Sequence, residues 1–213
     1  MNRERVHQSN ICKILLAMGI ASTLLYPITD ILAGMLYKGY SFNEQAISEL
    51  FAIGAPTSRM VVSLFTICSV LFIGFGLGIG LSSNNRLQRI LAVMVIGNAI
   101  NSLVLWNFFP MHMRGAEATF TDTMHTILAI NPFILISIIL GAVIFKGWFR
   151  FYSLGTILLL LIPAVMSFSY IPLLMAHQPT PWMGFTERLS QYGHQLWHGI
   201  LAIILIRGQS NGK

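Results

Sequence analysis

Long apolar segments of about twenty residues dominate this sequence and leave only short connections between them. A helix crosses the bilayer core with about 20 apolar residues, and backbone groups in lipid must be hydrogen-bonded within the spanning element. The pattern therefore predicts an all-α, polytopic transmembrane helix bundle that forms a single integral membrane domain over residues 1–213. The expected spans are residues 11–32, 60–81, 87–109, 123–145, 151–175 and 186–206.

Composition agrees with a bilayer environment and excludes other classes. Charged residues make up 9% of the chain, against about 25% in soluble domains. The net charge of +6 comes from scattered Lys and Arg residues and not from a basic patch, so nucleic-acid binding is not expected. Cys12 and Cys68 lie beside or inside apolar segments, which argues against a disulfide or a thiolate metal site. The segment Ile14 to Ile28 lacks a small-residue cleavage site and is interpreted as an uncleaved first span.

The distribution of basic residues predicts the orientation, because cytoplasmic loops retain Lys and Arg. Nine basic residues fall on one side of the predicted spans and four on the other. We therefore expect both termini to be cytoplasmic in the cell membrane, and an even number of spans agrees, because it places the two termini on the same side. The predicted cytoplasmic residues are Arg3, Arg5, Lys13, Arg86, Arg89, Lys146, Arg150, Arg207 and Lys213, and the outer ones are Lys38, Arg59, Arg114 and Arg188.

Acidic residues and histidines gather at the opposite, non-cytoplasmic side. Histidines did not enter the choice of orientation, so their asymmetry is an independent observation. The outer set comprises Asp30, Glu44, Glu49, Glu117, Asp122, Glu187, His112, His125, His177, His194 and His198. In the first outer loop, an apolar stripe over residues 42–53 follows a capping-box spacing at Ser41 and Glu44, which predicts a short interfacial helix.

The sixth segment carries the clearest polar pattern. Glu187, Gln191, His194 and His198 are spaced i, i+4, i+7 and i+11, so they share one helix face within about 60°. Ionisable residues inside spans usually face a cavity, which favours a water-accessible crevice. Interhelical hydrogen bonding is the structural alternative.

The fourth span and the loop before it supply further candidates. Asp122 and His125 share a helix face, although Asp122 also suits the helix N-terminus as a cap. His112 and Arg114 follow Pro110 in a loop at headgroup level, where arginine suits a phosphate or carboxylate.

Zinc is the cofactor that these histidines suggest. His194 and His198 lie one turn apart, and His125 is the candidate third ligand, with Asp122 or Glu187 as alternatives. Such a site would keep one position open for water. One helix cannot complete such a ligand set, so the sequence favours interhelical hydrogen bonding or a metal-free pocket over a zinc site.

In these segments the chain resembles the family catalogued as domain of unknown function 998, which comprises six-span membrane proteins of prokaryotes. The resemblance implies a multi-pass membrane location and no particular reaction. The matching stretches are Ser48-Glu49-Leu50 with Gly54-Ala55-Pro56, Phe109-Pro110-Met111-His112 with Arg114-Gly115, Asp122-Thr123-Met124-His125, and Pro181-Trp182 with Glu187-Arg188. From these stretches the candidate pocket residues are Glu49, His112, Arg114, Asp122, His125, Glu187 and Arg188, with His194 expected beside them.

A second likeness is to the superfamily of alkaline ceramidases and progestin-receptor-like proteins, which are metal-dependent membrane hydrolases. That superfamily places an HxxxH motif on its last span, as His194 and His198 would do here. This chain departs from it, because Asp122 and His125 share one span and no seventh span is predicted.

Three functional hypotheses stay open at this point. The first is a polar, His- and acid-rich pocket for a membrane lipid or other small amphiphile, as a binding site or as a metal-dependent membrane hydrolase. The second is a proton-coupled transporter, and the third is a non-catalytic membrane sensor or assembly protein. The apolar inner half of the sixth segment disfavours a full-depth pathway, and the sequence does not indicate an oligomeric state.

Overall fold

The computed structural model describes the backbone of residues 3–211 and the side chains of residues 10–209. Lys213 and the side chains of Arg3 and Arg5, which entered the predicted orientation, lie outside the described residues. Within the described part the chain is helical, with a 3-10 helix at Ile47–Phe51. The α-helices are α1 (Arg3–Leu36), α2 (Ser58–Ser82), α3 (Arg86–Phe108), α4 (Phe120–Ala129), α5 (Pro132–Ile144), α6 (Trp148–Ser169), α7 (Ile171–Met175) and α8 (Met183–Asn211).

Five helical stretches are long and apolar enough to cross a membrane, and they match the first five predicted spans. The outer surface of these stretches is apolar, as expected for contact with lipid. Large apolar side chains such as Met35, Phe120 and Phe151 are more than 70% exposed. In water such exposure of large apolar groups would favour aggregation. The chain is therefore an all-α membrane protein. The stretches are Asn10–Leu36, Ser58–Ser82, Arg86–Phe108, Phe120–Ile144 and Trp148–Met175.

The sixth predicted span lies in α8, which is a helix but does not reach the same apolarity. Polar residues interrupt its first half, and many of them are buried inside the bundle. Thr186, Ser190, His194 and His198 are all at most 5% exposed. The low hydropathy of α8 thus results from side chains that face other helices and not lipid.

Two of the predicted spans are interrupted. The predicted span 123–145 consists of α4 and α5, and Asn131 caps the second by accepting from the Phe133 amide at 3.2 Å. Pro132 follows as the first helical residue, where its missing N–H costs no hydrogen bond. The predicted span 151–175 divides likewise at Tyr170, just before Pro172 in α7.

The prediction of an interfacial helix over residues 42–53 is wrong in the type of helix, its length and its position. Only Ile47–Phe51 is helical, and it forms a 3-10 helix. Ile47, Leu50 and Phe51 are at most 3% exposed, and they pack into the bundle. The 3-10 helix contacts α1, α2 and α8, so the middle of the apolar stripe faces the bundle. Phe42 and Ile53, at the two ends of the stripe, remain 37% and 47% exposed.

Two apolar clusters divide the interior. The turn-side cluster lies toward the α2–α3 turn and contains Leu16, Phe75, Leu91, Ile138 and Trp197. The loop-side cluster lies beneath the 3-10 helix and contains Tyr26, Ile47, Leu50, Phe51, Phe65 and Leu105.

Close backbone approach of α1 and α2 depends on glycine. A Cβ on Gly78 would lie 2.8 Å from the Leu16 nitrogen. The glycine-rich face of α2 is thus a packing surface, as small residues in membrane helices usually are.

Candidate functional site: a polar cavity inside the bundle

A cavity of about 90 Å³ lies where the two apolar clusters meet. Its walls come from α1, α2, α3, α4, α5 and α8, with the 3-10 helix on the loop side. One water needs about 10–15 Å³ of such space, so the cavity has room for several waters or a small polar group. The polar side chains that line it include Ser22, Ser69, Asn98, Asn101, Ser102, His125, Asn131, Glu187, Gln191, His194 and Gln195.

Several buried polar atoms around this cavity have no hydrogen-bond partner within the described part of the chain. They are Ser69 Oγ, Trp106 Nε1, Gln195 Oε1 and His194 Nδ1. The His194 ring interacts with the Ser190 backbone one turn earlier, but its Nδ1 forms no hydrogen bond. A buried polar atom without a partner costs about 1–3 kcal/mol. The four atoms therefore favour a polar occupant of the cavity.

Glu187 joins the cavity to the 3-10 helix. One carboxylate oxygen, Oε2, accepts a hydrogen bond of 2.7 Å from the amide of Ile47. That amide opens the 3-10 helix and has no acceptor within it, since the first amides of a helix lack intrahelical partners. Glu187 therefore holds the 3-10 helix over the cavity while the carboxylate still lines it.

His125 contributes a defined hydrogen-bonding edge. Its Nδ1 lies 2.8 Å from the Phe109 carbonyl oxygen, which can only accept, so Nδ1 carries a proton. In the neutral ring Nε2 is then an acceptor. The ring is 8% exposed, packs against Phe51 and lines the cavity.

His198 differs from the other histidines of the stripe. Its Nδ1 donates to the His194 carbonyl at 2.8 Å, and the ring packs edge-on against Phe72 and Trp197. It is fully buried and is not among the cavity-lining residues. His194 and His198 thus share a helix face without sharing a site.

The three histidines predicted as zinc ligands are not assembled into a site in this conformation. His125 and His194 line the cavity, whereas His198 is packed among aromatic rings. Over the described residues, no group of three or more His, Cys, Asp or Glu side chains is placed to hold a metal ion.

Arg188 forms a buried ion pair on the loop side. Its Nε and Nη2 donate to the two oxygens of Asp30, each at 2.8 Å, in a bidentate geometry. Tyr192 also donates its hydroxyl to Asp30. The remaining nitrogen, Nη1, donates to the carbonyl oxygens of Phe42 at 2.9 Å and Gln45 at 3.0 Å. The pair therefore ties α1 and α8 to the loop before the 3-10 helix.

Tyr40 completes this network. Its hydroxyl accepts from Arg188 Nη2 at 2.5 Å and donates to the Ala46 carbonyl at 2.8 Å. Burial raises the pKa of the Tyr40 phenol, although the positive charge of Arg188 opposes the shift. The phenol consequently stays neutral and acts as a hydrogen-bond relay and not as an ion.

Arg114 forms the second ion pair. Its Nε and Nη2 donate to the two oxygens of Glu49 at 2.6 and 2.9 Å. Nη2 also reaches Thr180 Oγ1 and the Glu44 carbonyl, each at 2.8 Å. These contacts fasten the loop before α4 to the 3-10 helix and to the segment before α8.

The third pair, His112 and Asp122, closes the loop before α4. Asp122 accepts from the His112 amide at 2.7 Å, and its other oxygen lies 2.9 Å from His112 Nδ1. It also accepts from the Thr119 amide and hydroxyl, both at 2.9 Å, and so caps α4. The capping role expected from the sequence is present.

The structure thus divides the predicted site residues into two groups. His125, Glu187 and His194 line the cavity. Glu49, His112, Arg114, Asp122 and Arg188 form ion pairs that order the loops and are not among the cavity-lining residues. Sequence reasoning missed Ser69, Trp106 and Gln195 as cavity residues; their only signal was a hydrogen-bonding group within an apolar segment.

Comparison with known proteins places the chain in one family. The family described as protein of unknown function (DUF998) matches residues 20–204, which is most of the chain. No curated protein and no solved structure matches the chain significantly.

Proposed function

We propose that this chain, which belongs to the DUF998 family, binds the polar end of a membrane lipid or other amphiphile in the cavity beside Glu187 and His194. The observation that carries the proposal is the set of unsatisfied polar atoms of Ser69, Trp106, His194 and Gln195. Because such groups are seldom left without partners in native proteins, a ligand that pairs with them gains affinity. Water fills the same positions when the ligand is absent.

The position of the cavity supports an amphiphile rather than a fully water-soluble ligand. Its lining extends to Ala129 on α4, an exposed residue next to the break before α5. The neighbouring Ile127 and Ile130 are 55% and 63% exposed and face the surroundings of the bundle. Among the described elements, α4 packs closely only against α3. An apolar tail would therefore leave the cavity beside α4 and stay in lipid.

The turn-side cluster argues against a continuous transport pathway. Leu201 is fully buried in α8 beyond His198, the last residue of the polar stripe. Trp197, which contacts His198, and Ile138 on α5 are also fully buried. Trp197 donates to Ser153 on α6 at 2.9 Å and stacks on Phe149. Beyond His198, the next buried side chains of α8 are the apolar Leu201 and Ala202. A site open to one side of the membrane therefore fits better than a proton-coupled carrier.

The proposal includes six spans in the cell membrane, both termini in the cytoplasm and the cavity toward the outer side. α8 supplies the sixth span, because its 29 residues extend about 43 Å at 1.5 Å per residue. The hydrocarbon core is about 30 Å thick, so the length suffices. The distribution of basic residues supports the orientation.

Reporter fusions test this topology. A reporter after Lys213 is expected to be cytoplasmic, and a reporter inserted at Gly115, in an exposed loop, is expected to be external. A paired cytoplasmic and periplasmic reporter at each site gives the measurement. An external signal after Lys213 would contradict both the sixth span and the orientation.

Lipid retention tests the binding proposal. Protein purified in a neutral detergent should retain an amphiphile enriched over its level in the bulk membrane, measured by mass spectrometry of extracted lipid. Ser69→Ala and Gln195→Leu each remove one unsatisfied cavity group. Each variant should retain about fivefold less ligand, since one buried hydrogen bond contributes on the order of 1 kcal/mol.

Ser137→Ala is the matched control for Ser69→Ala. Ser137 is also buried in a helix with an unsatisfied hydroxyl, but it does not line the cavity. The control should retain the ligand like the unaltered protein. Lipid that mirrors the bulk membrane in all samples, or an equal loss in the control, would refute the binding proposal.

A further inference from the structure

The acidic residues on the loop side are not equally neutralised. Asp30, Glu49 and Asp122 each face a basic side chain, namely Arg188, Arg114 and His112. Within the described part of the chain, Glu187 has no ion pair, and its one hydrogen bond is to the Ile47 amide. Arg188 is adjacent in sequence but is already bidentate on Asp30. Glu44 and Glu117 are exposed, so among the described acids Glu187 is the one that lines the cavity and has no ion pair.

The cavity walls suit a cation and disfavour an anion. No Lys or Arg is among the lining residues in the described part. Phosphate recognition usually relies on such side chains. Aromatic rings of Tyr26, Phe51, Phe72 and Trp106 line the cavity instead, and ring faces attract ammonium groups.

We infer that the group bound in this cavity is an ammonium, so that the ligand is a cationic amphiphile whose amine approaches Glu187 among the aromatic rings. This inference rests on the proposed function and names the chemistry of its ligand. Gln195 Oε1 and Ser69 Oγ, both without a partner, supply acceptors for the ammonium N–H groups. The volume of about 90 Å³ is well below the roughly 300 Å³ at which drug-sized ligand pockets begin, so it suits a small head group.

Three probes with the same tail and different head groups test the inference. Dodecylamine, dodecanol and dodecyl phosphate are each titrated against the purified full chain in a neutral detergent at fixed ionic strength and pH 7. Ligand-induced shifts in melting temperature report binding to the folded state. Dodecylamine should bind about tenfold or more tightly than dodecanol, because hydrogen bonds and contacts to charged groups are the stronger ones. Dodecyl phosphate should give no shift beyond that of the detergent.

Glu187→Gln removes the negative charge while its amide oxygen can still accept from Ile47. This variant should lose the preference for the amine over the alcohol. Glu117→Gln is the matched control, because it makes the same charge change at an exposed loop residue outside the cavity and should keep the preference. The comparison of the three probes on the unaltered chain needs no variant, so it tests the ammonium inference even if Glu187→Gln folds poorly.

The outcomes separate this inference from the function on which it rests. Equal or tighter binding of dodecanol or dodecyl phosphate overturns the ammonium assignment and leaves an amphiphile site. An amine preference that survives Glu187→Gln also overturns it. Absence of a shift with all three probes counts against the binding proposal itself.

Discussion

Replacing Arg188 by alanine is expected to lower the free energy of unfolding by about 3–5 kcal/mol, because it leaves a buried charge without a partner. Asp30 is fully buried, and both of its oxygens accept from Arg188. The substitution also removes the donor to the carbonyls of Phe42 and Gln45. Unfolding in mixed detergent micelles, followed by circular dichroism against the SDS fraction, gives the measurement.

Arg59→Ala is the control for this variant, because Arg59 is exposed on the same side of the molecule. Surface substitutions of this kind usually change stability by less than about 0.5 kcal/mol. Adding Asp30→Asn to Arg188→Ala should restore part of the stability, since the uncompensated charge is then gone. A loss below about 1 kcal/mol in Arg188→Ala would contradict the buried ion pair.

Gly184→Ala is expected to disrupt the junction between α8 and the loop before the 3-10 helix. An added Cβ would lie 2.1 Å from the Gln45 carbonyl oxygen and 2.6 Å from that of Phe42. Both contacts are with backbone, so α8 or the loop must move. Overpacking of this kind costs about 1–3 kcal/mol, and we expect the upper end because the same two carbonyls accept from Arg188.

Gly208→Ala provides the comparison within the same helix. A Cβ at Gly208 meets nothing within 4 Å, so alanine should be neutral or should stabilise the helix by up to about 1 kcal/mol. Both variants are measured by the same unfolding assay. Equal stabilities for the two would show that α8 does not approach the loop as closely as described.

The cavity itself depends on the same junction. Gly184 and Phe185 donate their amides to the Asn43 carbonyl at 3.0 and 3.2 Å, and Glu187 holds the amide of Ile47. We therefore interpret the ion pairs of Arg188 and Arg114 as contacts that hold the loops and the 3-10 helix in place over the cavity. Their removal should act on ligand retention only through stability, whereas Ser69→Ala acts on the ligand directly.

Several features followed from local sequence pattern. The five apolar stretches were recognisable because a bilayer demands a length of apolar residues that few other environments tolerate. The shared face of Glu187, Gln191 and His194 followed from helical spacing, and all three line the cavity. The cap that Asp122 forms at α4 was likewise foreseeable, because its hydrogen bonds to Thr119 span only three residues.

Other features were inaccessible to such reasoning. The apolar stripe before Pro56 was equally compatible with lipid contact and with burial, and only the neighbouring helices decide that it forms a buried 3-10 helix. The sequence placed His194 and His198 on the same face of α8 and gave no reason to separate them. Only the aromatic side chains of Phe72 on α2 and of Trp197, at the preceding position in α8, separate His198 from the cavity.

The apolar membrane-crossing stretches and the helical faces were thus determined by the sequence alone, because they depend on composition and on periodicities of a few residues. The partners of the charges were decided by the tertiary structure. Arg188 pairs with an aspartate 158 positions away and Arg114 with a glutamate 65 positions away. Such pairings depend on how the helices pack, and they leave Glu187 unpaired beside the cavity because both arginines are held by other carboxylates.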